Sequence, residues 1–170
     1  MTGVEVVELG DPARQRDATT LVFEYFALTA VEIDRPVPER VTDLPPSLRV
    51  ECEDLAAAYP EPGFVLVAYV DGEPAGVVGL KAPGEVKRLY VRPEHRSNGV
   101  GRRLMEHLHE RAAERGMRRV VLDVLPSRKQ VIDFYRRLGY TDIDPPPGET
   151  FPMLYLARNV ENGDARPCEG

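Results

Sequence analysis

The chain has 170 residues, 42% hydrophobic and 29% charged, with a net charge of −6. Such a length suits one domain that builds its own core without disulfide or metal staples. The composition excludes wholesale disorder, collagen and coiled coil, and no apolar run approaches the roughly 18 residues that a membrane span needs.

Val4–Leu9 alternates apolar and acidic residues and reads as a short strand. Asp11 and Pro12 are helix-start residues, and Ala13 to Ile33 is rich in helix formers. Four prolines between Arg35 and Pro46 demand a loop, after which Ser47 is placed to cap a second helix through Tyr59. Phe64–Val70 and Pro74–Leu80 are apolar runs joined by Asp71-Gly72, a hairpin signature. Glu85–Val91 is a third strand, ended by Pro93. Val100, Leu104, Leu108 and Ala112 fall four apart, one apolar stripe of a helix that stops at Gly116. Arg118–Leu125 reads as a strand, and a helix starting at Pro126-Ser127 runs to Gly139. Phe151–Ala157 reads as a last strand and an exposed sheet edge, a surface proteins usually cover, so a homodimer through it or through the C-terminal helix is an expected partner arrangement. Hairpin strands followed by a strand–helix–strand crossover indicate a mixed α/β sheet. The expected organisation is one domain over residues 1–158 with a polar, disordered tail over 159–170.

Charge is unevenly distributed. Residues 86–119 hold ten lysines and arginines against four glutamates, a local charge of +6 that leaves −12 for the rest. A basic segment in an acidic protein suits a compact polyanion better than a long nucleic-acid groove, although a solvated basic helix face would show the same charge. Neither nucleic acid nor membrane is an expected partner. Glu5 and Glu8 stand where a signal peptide needs a basic flank and an apolar run, so the expected location is the cytoplasm. Cys52 and Cys168 lack metal spacing and read as free thiols. His107 and His109, two apart on a helix, point to different faces, and no metal site is expected.

The sharpest local element is Arg96-Ser97-Asn98-Gly99-Val100-Gly101, between a strand and an amphipathic helix. Glycines let backbone approach a phosphate, and the first N–H groups of a helix lack internal partners, so the segment suits an anion. Arg96, Arg102 and Arg103 add charge around it. It is neither the lysine-containing phosphate loop of nucleotide triphosphatases nor the three-glycine dinucleotide fingerprint.

Four motifs then follow in one order: Val86-Lys87-Arg88-Leu89-Tyr90-Val91-Arg92-Pro93, the R-S-N-G-V-G-R-R-L segment, Val120–Leu125, and Phe134-Tyr135-Arg136-Arg137-Leu138-Gly139-Tyr140. Over residues 63–141 this set resembles the GCN5-related N-acetyltransferase (GNAT) superfamily. The resemblance implies a mixed, mostly antiparallel seven-stranded sheet, splayed at the cofactor cleft and flanked by about four helices. It implies acetyl-coenzyme A (acetyl-CoA) as cosubstrate, without a metal. Backbone groups of Leu89, Tyr90 and Val91 would hold the pantetheine arm and acetyl carbonyl, and those of Ser97, Asn98, Gly99, Val100, Gly101 and Arg102 the pyrophosphate.

Tyr135 occupies the family's position for a general acid to the departing thiolate; otherwise it is a core aromatic beside Phe134 and Leu138. The attacking amine must lose a proton, for which Glu85 is the first candidate base and Asp123, a carboxylate among apolar strand neighbours, the second. Arg128 stands where many relatives carry an asparagine, and is a candidate for a coenzyme A phosphate or an acidic substrate group. The expected activity is acetyl transfer to a primary amine of a small molecule. A protein N-terminus or lysine as acceptor, and a non-catalytic acyl-CoA-binding module, are the alternatives. Substrate choice is expected in residues 31–61 and 141–152.

Overall fold

The structure, a computed structural model, describes residues 3–160. Among these, seven strands form one sheet in the order β1-β2-β3-β4-β5-β7-β6. They are β1 Val4–Glu8, β2 Phe64–Val70, β3 Glu73–Lys81, β4 Glu85–Val91, β5 Arg119–Val124, β6 Thr141–Ile143 and β7 Leu154–Asn159. Neighbours are antiparallel except β4 and β5, which are parallel and share one register pair, Glu85 with Val121. The helices are α1 Pro12–Glu32, α2 Pro46–Glu53, α3 Leu55–Ala58, α4 Val100–Glu114 and α5 Lys129–Arg137. No helix of the described residues is long and apolar enough to cross a membrane.

Strand periodicity divides the apolar residues between two cores. Along β2, Leu66 and Ala68 enter the core beneath α4 and α5, while Val65 and Val67 enter the one beneath α1–α3. Both faces are covered, which is why β2 reads as an unbroken apolar run. Helix α4 buries the expected stripe, Val100, Leu104, Leu108 and Ala112. Helix α1 begins where Asp11 accepts a hydrogen bond from the Arg14 N–H at 2.9 Å, with Pro12 in the first turn. It buries Ala18, Leu21, Val22 and Phe26 against the opposite face.

Several expectations need correction. The second helix starts after Pro45 rather than at a Ser47 cap, and it is broken at Asp54. There the backbone turns, and the Asp54 carboxylate caps α3 by accepting from the Ala57 N–H at 3.0 Å. Strand β6 has only three residues, too few to show a period, and was not anticipated from its residues. The last strand begins at Leu154, not Phe151, and continues through Asn159. Val160 is buried behind it and donates its N–H to the Arg118 carbonyl at 2.9 Å. Strand β7 lies between β5 and β6, so it is no sheet edge and offers no docking edge for a second copy. Residues 161–170, where Cys168 and most of the expected tail fall, lie outside the described residues. Cys52 is buried, which pushes its thiol up to about 11.

A polar group is also built into the main core. His109 is 7% exposed; Arg158 Nη1 lies 2.8 Å from its Nδ1, and the Tyr140 hydroxyl lies 2.7 Å from its Nε2. A guanidinium only donates, so Nδ1 accepts and Nε2–H donates to Tyr140, which fixes a neutral imidazole. Burial, and then the Arg158 charge, hold the His109 pKa down at about 4. An unfolded histidine titrates near ~6.5, so this group's stabilisation is complete above that pH and is lost as pH falls toward the folded value. The loss amounts to about 3 kcal/mol. Urea unfolding of the wild type between pH 7 and pH 4 is expected to fall more steeply than that of His109→Gln, and parallel curves would refute the assignment.

Candidate active site

After Glu85–Val121 the two parallel strands separate, and the gap is a cleft of about 750 Å³. A bulge in β4 shapes one wall. Val77 pairs with Tyr90 and Gly79 with Lys87, so Arg88 and Leu89 both stand opposite Val78. Arg88 takes up the extra residue at φ +62°, an uncommon conformation outside glycine. The alternation is reset there: Val86, Leu89 and Val91 pack on the main core, while Arg88 and Tyr90 turn to the α1 side. The backbone of Leu89–Val91 therefore lines a strand edge that β5 no longer pairs. The Val91 carbonyl accepts from Arg96 Nε at 2.9 Å.

The loop into α4 closes one end. Ser97 at φ +70° and Gly99 at φ +77° turn the chain into the helix, and Gly99 adopts this left-handed conformation without Cβ strain. No side chain caps α4 and no acidic residue sits in its first turn. Its first N–H groups are thus left to an anion, and the helix dipole adds to the attraction. At Gly101 a Cβ would meet Phe134 and Val91 at an ordinary 3.6 Å. Packing does not demand this glycine, and its bare backbone keeps the helix end open to the cleft. Arg102 pairs with Glu106 at 2.9 Å and remains exposed. Among the residues expected to hold a cofactor, Leu89, Tyr90, Val91, Arg96, Ser97, Gly99, Val100, Gly101, Arg102 and Arg128 all line the cleft, while Asn98 does not.

Tyr135, on α5, reaches the same cleft from the main core and is 6% exposed. No described protein group hydrogen-bonds its hydroxyl, and no fully buried side-chain oxygen lacks a partner, so the hydroxyl opens onto the cleft. Burial above all, then the neighbouring Tyr140, pushes its pKa well above the usual tyrosine range. Of the two candidate bases, Asp123 lines the cleft and lies near enough to Tyr135 to raise its pKa further. Glu85 sits outside the lining with its side chain 48% exposed. Lys87 joins them, 2.6 Å from Glu85 and 3.7 Å from Asp123.

Arg128, at the cleft, is held by α1. It donates to Glu32 at 2.7 Å, to the Tyr25 hydroxyl at 3.2 Å and to Thr29 Oγ1 at 2.9 Å. This ties the start of α5 to α1 across the cleft. Tyr25, Leu28 and Glu32 are thereby lining residues that motif reasoning missed, because the first sixty residues matched by element order alone. The one signal available was a polar, aromatic face in the more apolar second half of the helix: Tyr25, Thr29 and Glu32 recur at helical spacing.

Among curated proteins, the chain is 34% identical over 92 residues to an uncharacterized N-acetyltransferase of Methanocaldococcus jannaschii, a match covering 48% of this chain and 40% of that protein. It is 32% identical over 134 residues to the streptothricin acetyltransferase of Streptomyces lavendulae, covering 72% of this chain and 69% of the relative. Among solved structures, the PaiA N-acetyltransferase of Thermoplasma acidophilum in complex with coenzyme A superposes with a TM-score of 0.70 at 18% identity, over 92% of this chain and 99% of that one. The acetyltransferase (GNAT) family model matches residues 29–140. A cleft opened by parting strands, with a bare helix end at one side and a buried tyrosine at the other, thus belongs to a chain that is a member of the GNAT acetyltransferase family.

Proposed function

We propose that this acetyltransferase moves an acetyl group from acetyl-CoA to a primary amine of a small molecule, by direct attack within a ternary complex. The observation that carries this reading is the cleft itself. It places an anion-ready helix end, an unpaired strand edge, a protonated tyrosine and a carboxylate along one channel. The residues fit the cosubstrate, because the uncapped α4 N-terminus, free of acidic side chains and open at Gly101, suits a diphosphate. Acetyl-CoA supplies an activated thioester, and the chain's own groups position it and move protons. The relative named streptothricin acetyltransferase supports a small-molecule acceptor.

Asp123 takes the acceptor's proton, directly or through water, since an alkyl ammonium with pKa ~10.4 does not attack until it is neutral. Its place in the cleft favours it over Glu85, which lies outside the lining with Lys87 2.6 Å away. At the other end the Tyr135 hydroxyl donates toward the departing sulfur. A thiolate near pKa ~8.5 is a weaker base than this phenolate, so the hydrogen bond strengthens as charge builds on sulfur, ahead of any full transfer.

Gly101→Glu is expected to fold, since the site has room for a Cβ, and to lose acetyl-CoA binding by placing a carboxylate at the helix end. Isothermal titration calorimetry of a folded variant with wild-type affinity would remove the phosphate assignment. Tyr135→Phe keeps the ring and is expected to lower kcat by about 10²–10⁴-fold at nearly unchanged acetyl-CoA affinity. Turnover at the wild-type rate, with chemistry rate-limiting, would leave Tyr135 a packing residue only. Asp123→Asn is expected to leave an activity that climbs with pH as free amine accumulates, whereas Glu85→Gln keeps the wild-type profile; the reverse result would exchange their roles. Acceptors for these assays come from a mass-spectrometric screen of amines, amino acids, polyamines and aminoglycosides.

A further inference from the structure

Glu51 is the only buried carboxylate among the described residues, 6% exposed on α2. Its position is far in sequence from every motif of the cleft, yet it is shared by two hydrogen-bond donors and a third, cationic neighbour. Arg88 Nε lies 3.0 Å away, the Tyr59 hydroxyl 3.1 Å and Lys81 Nζ 3.8 Å. Burying a carboxylate is costly unless such partners are fixed around it, so its presence calls for a task. Arg88 shows what the task is. This residue forms the β4 bulge at φ +62°, its guanidinium lies 4.8 Å from the Phe26 ring centroid, and its nearest carboxylate is Glu51. A left-handed arginine persists only where its surroundings over-determine it. Here the surroundings are one carboxylate from α2 and two aromatic rings from α1, Phe26 and the more distant Tyr25 at 6.0 Å.

We infer that Glu51 is a positioning residue for acetyl transfer: through Arg88 it holds the β4 bulge, and the bulge aims the backbone of Leu89–Val91 at the acetyl carbonyl. This rests on the proposed acetyl-CoA reading. Glu51 does not itself line the cleft, and of its three partners only Arg88 does, so its effect on the lining passes through Arg88. The phosphate end of the cleft is held by the separate loop before α4. Loss of Glu51 thus misplaces the carbonyl-binding edge and leaves the anchoring of coenzyme A intact.

The test uses Glu51→Gln, which keeps size and the bond to Tyr59, and Arg88→Gly, in which glycine adopts the bulge conformation without the ion pair. Three measurements on full-length protein decide. In unliganded protein, hydrogen exchange of the amides at residues 88–91 is expected to speed up in Glu51→Gln relative to the α4 amides. In the complex with carbonyl-13C acetyl-CoA, the carbonyl resonance is expected to move toward its free value while calorimetric affinity stays within about twofold. With a working acceptor, kcat is expected to fall roughly tenfold or more at little-changed KM for acetyl-CoA. In the Arg88→Gly background, adding Glu51→Gln is expected to change exchange, resonance and kcat little, since the two residues act as one unit. A Glu51→Gln protein with a lowered melting temperature but unchanged exchange at 88–91 and an unchanged carbonyl resonance would overturn the inference, as would independent, multiplying effects of the two substitutions. Wild-type protein that fails to bind acetyl-CoA would instead remove the functional reading, and the inference with it.

Discussion

Two parallel strands that share a single register pair and then separate leave backbone unpaired in the middle of a sheet, where hydrogen-bonding groups are otherwise satisfied by neighbours. The rest of the molecule is arranged around that separation. Antiparallel ladders on both sides, β1 to β4 and β5 with β7 and β6, are continuous enough to hold the two halves as firm walls. The bulge at Arg88 turns one wall's side chains, and α4 and α5 put a helix end and a tyrosine at the opening. The cleft is thus a consequence of sheet geometry before it is a matter of particular side chains.

Helices α1 and α2 hold this opening through a repeated device. Glu24 grips Arg92, Glu32 grips Arg128 and Glu51 grips Arg88, each pair linking a helix to a wall of the cleft and each partly or fully shielded from water. Pairs of this kind contribute little as net stability when weighed against apolar replacements, but removing one partner strands a charge in low-dielectric surroundings. Their value lies in fixing geometry. The acidic surplus outside residues 86–119 is thereby explained in part: some of it is the counter-charge of the cleft's own arginines rather than a solvated surface.

What could be read from the residues followed what short-range physics controls. The Asp71-Gly72 hairpin, the apolar stripe of α4 and the glycine loop before it are local patterns, and the structure places them within a residue or two of the expectation. The family motifs then supplied the sheet's splay. What stayed hidden depended on contacts distant in sequence. Nothing local marks Arg88 as left-handed, because arginine has no preference for that region, and Glu51, 37 positions earlier, with Phe26 and Tyr25 of α1, surrounds it there. The three partners that α1 supplies to Arg128 come from about a hundred positions earlier. Sequence placed Glu85 ahead of Asp123 as the candidate base, whereas the cleft is lined by Asp123 and leaves Glu85 outside, 48% exposed. Strand β6 exists because β7 pairs with it, not because Thr141–Ile143 favours a strand.

The sheet ends on β1 and β6, and both outer rims are poor templates for another chain. Strand β6 is three residues long, and its Asp142 is engaged with Arg136 at 3.1 Å. Strand β1 alternates valines with Glu5, which is exposed, and Glu8, which is clasped by Arg115 at 2.8 Å. Short, charged edges discourage the edge-to-edge pairing that seeds aggregates. A protein whose central strands are as apolar as β2 and β3 is therefore expected to stay dispersed at high concentration for as long as it stays folded, and to become sticky only when unfolding frees those inner strands.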